Sequence, residues 1–485
     1  MQQKSSIKRN FAYQMIYQVL VWILPLITSP YVARVIGAEG IGIYSYSYSV
    51  AYYFVLFSML GLANYGNRAI AQCNGVQDAL DSTFSNIFCV HLIVSLICLF
   101  IYEIYVFALC SEPVYAFIQT AYVLSGMFDI SWFYFGIEKF KLTVLRSTVI
   151  KIINAACIFI FVHTQQDLWI YCLIMALGML ANQVTLWLPL RKFVRIRKPT
   201  LNEMRPHIKP MLVLFVPAIA ISLYKYMDKI MIGAMSSKEQ LGFYENAEKM
   251  VNVPLMMITS FGTVMLPRMS NLMALRDMKN ANRYISLSMK YIMCLAFALS
   301  LGLASIGRVF APVFWGSDFS LSGSLIMGLS ITIPFISFAN IIRTQYLIPT
   351  EKDREYLISV CVGAVVNLII NTLLIPNYGA TGATIGTIAA EITVCILQAL
   401  SVRKELALKE YTKSFAPFLG FAMLMLFAVY FTGKFLGVSF KTLFVQIFMG
   451  IFIYGGLCFA YFYKTDDPIL SKVFARLHLK GKRRA

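Results

Sequence analysis

Long apolar stretches broken by short polar turns set the rhythm of this chain. The runs are about 18 to 25 residues long, the length a helix needs to cross roughly 30 Å of hydrocarbon. About fourteen spans of this kind can be placed, at 11–33, 41–63, 84–108, 114–135, 144–163, 168–190, 211–234, 243–265, 286–307, 321–342, 356–375, 380–401, 415–432 and 442–463. The alternating polar and apolar segments of a membrane β-barrel are missing. The pattern therefore predicts an all-α polytopic membrane protein.

One device occurs twice. In the stretch from Leu24 to Phe54, Ile36-Gly37-Ala38 leads through a tight polar turn, Arg34 to Gly40, into Ile41-Gly42-Ile43-Tyr44. Later in the chain Ile232-Gly233-Ala234 leads into Leu241-Gly242-Phe243-Tyr244. The duplication divides the chain into an N-terminal six-helix lobe at 1–190, a basic linker at 191–210, and a second six-helix lobe at 211–401. Two additional helices and a basic tail fill 402–485. Lobes of equal helix number and equal orientation imply a parallel repeat, a pseudo-two-fold along the membrane normal, with a substrate site between the lobes. Pro25 and Pro30 in the first span and Pro217 in the seventh mark bends in candidate moving helices.

Composition agrees with the pattern: 59% of residues are apolar and 13% charged, against about a quarter charged in a soluble domain. The net charge of +19 would suit a nucleic-acid ligand, but its placement does not. With the N-terminus inside, about 32 of the 42 Lys and Arg residues fall in cytoplasmic connections and about 5 on the other side, which is the positive-inside bias. Both termini are expected in the cytoplasm. The outer connections are short, so no extracytoplasmic domain is expected. The ten cysteines contain no CxxC pair and suit buried small apolar positions better than disulfides or metal ligands. The four histidines show no metal spacing. There is no Walker loop and no nucleophile motif, so no cofactor and no enzyme chemistry are expected.

Charged residues inside the spans carry the candidate chemistry, because each costs about 2.5–3.5 kcal/mol at mid-membrane unless it is paired or hydrated. Lys225, Asp228 and Lys229 share one face of the seventh span, and Glu245, Glu248, Lys249 and Asn252 share one face of the eighth. These faces predict either an ion-pair network that opens with the outer side or a permanent structural pairing. Glu391 in the twelfth span is a candidate for ion coupling, or for satisfaction by Asn367 and Asn371, one turn apart in the eleventh. Asp129 lies nearer the cytoplasm, where it could pair with Lys151 or line an inward cavity. Arg34 ends the first span, as a structural part of the turn or as a cavity cation.

The stretch PLITSPYVARVIGAEGIGIYSYSYS resembles the N-terminal signature of bacterial polysaccharide repeat-unit flippases, the Wzx-type O-antigen and capsule transporters of the multidrug/oligosaccharidyl-lipid/polysaccharide exporter superfamily. Asp129 to Lys141, Asp228 to Gly233, Gly242 to Pro254, Leu266 to Ser270 and Asn371 to Glu391 are similar as well. The resemblance implies alternating access in the bacterial cytoplasmic membrane. It implies an undecaprenyl-pyrophosphate-linked oligosaccharide as cargo, with membrane lipids, polysaccharide polymerase machinery and a proton or sodium counter-ion as further partners. On it, Arg34, Lys225, Lys229 and Lys249 become candidates for holding pyrophosphate. Asp129, Asp228, Glu245, Glu248 and Glu391 become candidates for gating or ion coupling, with Asn252, Asn367 and Asn371 as polar partners. A flippase for another polyprenyl-linked precursor and an ion-coupled multidrug exporter are the alternatives. The short outer connections speak against a membrane polymerase.

Overall fold

A computed structural model describes residues 7–73 and 76–467, with side chains from Leu24 onward except those of Pro217, Ala220, Ile221, Tyr224 and Lys225. Among the described residues all regular structure is helical, with no strand. In order the helices are α1 (Ile7–Met59), α2 (Leu62–Gln72), α3 (Gln77–Ala108), α4 (Pro113–Met127), α5 (Ser131–Gly136), α6 (Phe140–Phe161), α7 (Leu168–Val184), α8 (Leu201–Met235), α9 (Lys238–Ala274), α10 (Met278–Trp315), α11 (Ser320–Ser330), α12 (Thr332–Ile342), α13 (Asp353–Val402), α14 (Leu408–Leu436) and α15 (Phe440–Lys464). Among the described residues, ten helices are long and apolar enough to cross a membrane. Two of the long helices are each a pair of helices run together, α1 broken at Gly37 and α13 at Gly379. The chain is thus an all-α, multi-pass membrane protein. The basic tail beyond Asp467 lies outside the described residues.

The chain divides into two compact units, Met1–Asn246 with Leu368–Ala383, and Ala247–Asn367 with Thr384–Ala485. In the first, Trp132, Phe133 and Tyr134 of α5 are fully buried with Phe84, Ile87, Leu62 and Ile70. Small residues allow this: a Cβ on Gly66 would lie 2.5 Å from the Trp132 ring, and one on Gly136 2.6 Å from Ile70. The linker docks on the same cluster. Val194 and Met204 are buried in it, and the backbone N–H groups of Arg195 and Arg197 donate to the Asp81 carboxylate and the Ser85 hydroxyl at 3.0 and 2.9 Å. Thr200 and Glu203 then form a capping box that starts α8.

In the second unit, α14 and α15 pack on α10 through Met293, Phe297, Phe418, Ala422, Met425, Val429, Tyr454 and Cys458. The Tyr454 hydroxyl donates to the Cys294 carbonyl at 2.6 Å, and Gln446 donates to the Val429 carbonyl at 2.9 Å. Phe440, Phe444, Phe448 and Phe452, each one turn from the next, are exposed on α15. Water would not tolerate that stripe, and lipid does. All ten cysteines are unbridged. Cys361 is exposed, against the expectation that they sit in buried positions; in a membrane helix an exposed apolar side chain faces acyl chains at little cost.

Candidate functional site

The repeated device builds one end of the first unit, and it does so differently in its two copies. The polar turn expected from Arg34 to Gly40 is a single-residue break: Gly37 adopts φ 76°, ψ 178°, and helix resumes at once. A side chain would be strained there. Ile36, Ala38 and Gly40 are buried, and only Arg34 and Glu39 of this segment are exposed. In the second copy the helix runs through Gly233 and breaks at Ser236–Ser237. Gly233 is small because the Tyr46 ring packs on it, 2.3 Å from where a Cβ would stand. The Lys238 ammonium donates to the Gly233 carbonyl at 2.7 Å and lies 3.2 Å from the Tyr46 ring centroid, a cation–π contact.

The two copies meet backbone to backbone. A Cβ on Gly42 would fall 1.6 Å from the Lys238 carbonyl oxygen, and one on Gly242 would fall 1.8 Å from that of Ala38. Each glycine thus receives the carbonyl four residues before the other, a reciprocal contact of the kind two equal surfaces make. The α13 break joins them, the Ala380 N–H donating to the Gln240 side-chain carbonyl at 3.2 Å.

One helical turn along from this crossing, about 5 Å, lies a buried polar cluster. The Glu245 carboxylate accepts from the Ser45 hydroxyl at 2.7 Å and pairs with the Lys229 ammonium at 2.8 Å. Its neighbour Asp228, 5% exposed, accepts from the Tyr244 hydroxyl at 2.9 Å and from the Asn371 amide at 2.5 Å. Four helical segments are tied here: the second half of α1, the end of α8, the start of α9 and the first half of α13. The predicted pairing of the α8 and α9 faces therefore forms at Lys229 and Glu245. Asn371, considered as a partner of Glu391, donates its amide to Asp228. Ser45 and Tyr244 are not among the sequence candidates, although Ser45 sits three residues past Gly42, as Glu245 does past Gly242. That step was the available signal.

Asp129 accepts from the Ser131 N–H at 2.8 Å, at the start of α5. Arg34 is exposed on the near side of the Gly37 break. The Lys225 side chain lies outside the described residues. In the second unit, Asn367 and Glu391 are buried, whereas Glu248, Lys249 and Asn252 are half-buried; all but Asn252 engage in further polar or electrostatic interactions. Among the described residues no group of His, Cys, Asp and Glu could hold a metal ion.

Residues 7–273 match the sequence model of the polysaccharide biosynthesis protein family, and residues 147–454 that of the lipid II flippase MurJ. A putative O-antigen transporter of Shigella dysenteriae is 22% identical over 406 residues, 82% of this chain and 100% of the relative. One from Escherichia coli (strain K12) is 23% identical over 409 residues, 82% and 97% of the two chains. Among solved structures, lipid II flippase MurJ in an inward closed conformation superimposes with a TM-score of 0.74 at 16% identity, covering 93% of this chain and 99% of that one. An inward-facing multidrug resistance MATE transporter of the MOP superfamily gives 0.58 at 15% identity, covering 78% and 94%. On a match that spans more than half of its length, and with the fold of a MOP-superfamily transporter, the chain belongs to the polysaccharide biosynthesis protein family.

Proposed function

We propose that this protein is a flippase that moves undecaprenyl-pyrophosphate-linked oligosaccharide repeat units from the inner to the outer leaflet of the bacterial cytoplasmic membrane by alternating access. The relatives named as putative O-antigen transporters, aligned over nearly their whole length, support the cargo class. The MurJ-like fold supports the flippase mode. Both termini are placed in the cytoplasm, as the positive-inside bias requires, and each lobe contributes six helices with two more at the C-terminal end.

The observation that carries the reading is the Lys229–Glu245 pair, buried beside the glycine crossing. On the proposed topology the crossing faces the outer side and closes it. A pyrophosphate and its sugars cannot enter hydrocarbon without partners, since each unpaired polar group costs a few kcal/mol. A lysine held by a carboxylate keeps its charge inside a pair that is neutral overall. When the second half of α1 parts from α9, Glu245 loses Ser45, the pair loosens, and Lys229 becomes available to a phosphate. Lys225, Lys249 and Arg34 are proposed to share the anion, and Asp228, Glu248 and Glu391 to take part in gating or ion exchange. Outward passage of the anion is favoured by about 2.3 kcal/mol per charge per 100 mV of inside-negative potential. No covalent step is involved.

The test is transfer of a fluorescent undecaprenyl-pyrophosphate oligosaccharide across liposomes holding the purified protein, with membrane potential and proton gradient imposed separately. Transfer driven by potential, lost in Lys229→Ala and kept in Glu391→Gln, is the expected result. A proton requirement lost in Glu391→Gln would replace uniport by antiport. Efflux of organic cations with no glycolipid transfer would overturn the proposal. The MurJ sequence match over 147–454 favours one second reading, a flippase for another polyprenyl-linked cell-wall precursor, and the same assay with that lipid separates the two.

A further inference from the structure

Six tyrosines of the first unit form one continuous ladder. Tyr44, Tyr48 and Tyr52 follow at one-turn intervals along α1, with Tyr44 and Tyr48 stacked at 5.8 Å between centroids. Tyr171 of α7 meets Tyr44 at 5.0 Å, edge on. Tyr122 of α4 stacks on Tyr48 at 4.8 Å, and Tyr226 of α8 stacks on Tyr52 at 3.9 Å while lying 6.4 Å from Tyr48. The ladder starts at the charged cluster, where the Lys229 ammonium stands 5.6 Å from the Tyr226 ring centroid.

Packing alone does not account for the choice of tyrosine at all six positions. Phenylalanine stacks as well, and a buried hydroxyl without a partner is costly. Tyr122 donates to the Tyr48 hydroxyl across 3.4 Å, but the hydroxyls of Tyr44, Tyr52 and Tyr171 have no hydrogen-bond partner among the described residues. Tyr44 and Tyr52 are only half-buried. Nor is the ladder a cage for an organic cation. A cage needs ring faces converging on one point. Here the planes of Tyr44 and Tyr48, Tyr48 and Tyr122, and Tyr52 and Tyr226 lie within 24°, 19° and 25° of parallel, so neighbouring rings cover those faces. The stack leaves ring edges and phenol hydroxyls, each both donor and acceptor. A sugar hydroxyl has the same double capacity.

We infer that this ladder is a rail that hydrogen-bonds the oligosaccharide part of the cargo, beside the lysine that takes its pyrophosphate. The inference rests on the flippase reading and adds the groups that contact sugar. Rings held by stacking lose little freedom on binding, so their hydroxyls contact the glycan without first being ordered.

The test compares two probes on the full-length protein in nanodiscs: undecaprenyl pyrophosphate, and the same lipid carrying an N-acetylglucosamine–galactose disaccharide. Tyr44→Phe, Tyr52→Phe and the double variant keep the stack and remove hydroxyls, and thermal unfolding verifies that they fold as the wild type does. Each single change is expected to weaken binding of the glycosylated lipid by roughly two- to tenfold, with affinity for the sugarless lipid unchanged. Equal loss on both lipids, or no loss on either, would overturn the rail. Wild-type protein that binds both lipids equally would overturn it and leave the flippase reading standing. Wild-type protein that binds neither would overturn both.

Discussion

The Lys229–Glu245 pair makes the sharpest quantitative prediction. The charged atoms lie 2.8 Å apart, and the two side chains are 11% and 12% exposed. At an effective dielectric of about 20 the Coulomb attraction is about 6 kcal/mol, and removing both charges from water offsets much of it. Lys229→Met leaves the Glu245 carboxylate buried with the Ser45 hydroxyl, and should cost about 3–5 kcal/mol. Glu245→Gln leaves the ammonium buried and should cost a similar amount. The double variant removes both charges together and should be less destabilised than the sum of the singles by about 2–3 kcal/mol. Equilibrium unfolding in mixed detergent, followed by tryptophan fluorescence, measures all four proteins. Single variants that each lose under about 1 kcal/mol, or a double that equals their sum, would show that the pair is not formed in the dominant state, and would remove the stored cation from the proposed mechanism.

Gly42→Ala should force the crossing apart, because its Cβ would stand 1.6 Å from the Lys238 carbonyl oxygen. Ser45→Cys, at a position 3% exposed, should resist a maleimide in the otherwise native chain and react once Gly42→Ala is added; unchanged labelling would mean that the crossing is not a closure. In the connections between helices, the Lys352 ammonium hydrogen-bonded to Glu405 holds that carboxyl below the ordinary glutamate range. A depressed folded value means the unfolded chain binds more protons. The pair's contribution is therefore present above the ordinary glutamate value near 4.5 and is lost as pH falls through the lowered folded value. Lys352→Met should flatten that part of the acid unfolding profile, and an unchanged profile would count against the pair.

Apolar run length made most of the helices legible, since crossing hydrocarbon imposes a length that no soluble fold requires. Span ends were less so. Gly37 and Gly379 break their helices within one residue, and a one-residue break leaves almost no polar signature to find. The face of α8 carrying Asp228 and Lys229 was visible from spacing, as was its pairing with the α9 face, but its partners from α1 and α13 were not. Glu245 is a near neighbour in sequence, whereas Ser45 and Asn371 reach the cluster from distant segments, and spacing along one helix says nothing about which other helix it meets. Asp129 stands out as an intramembrane charge, and its carboxylate accepts from the Ser131 N–H at the start of α5, where backbone N–H groups attract negative charge. Tyr44 and Tyr48 lie in the signature stretch and Tyr52 just beyond it, but the extension by Tyr122, Tyr171 and Tyr226 depends on three other helices.

The two copies of the hairpin separate packing requirements from chemistry. Their second helices correspond from Gly42 with Gly242 onward, and at these positions both need glycine for the same steric reason. Aligned on Ile-Gly-Ala, their first helices set Val32 and Ala33 against Asp228 and Lys229. Val32 and Ala33 are buried as deeply as the charged pair. The first copy therefore closes on apolar side chains, so closure does not require charge. A buried ion pair is often no more stabilising than well-packed apolar residues of the same volume. Stability thus gives little reason for the second copy to keep Asp228, Lys229 and Glu245, all three lying within about 10 Å of helix from the crossing. Under the proposed mechanism the charges add a response: they are neutralised while the crossing is shut and exposed to an anion when it opens. A hairpin pair with one apolar and one charged copy is what a closure needs if it must register the arrival of a phosphate.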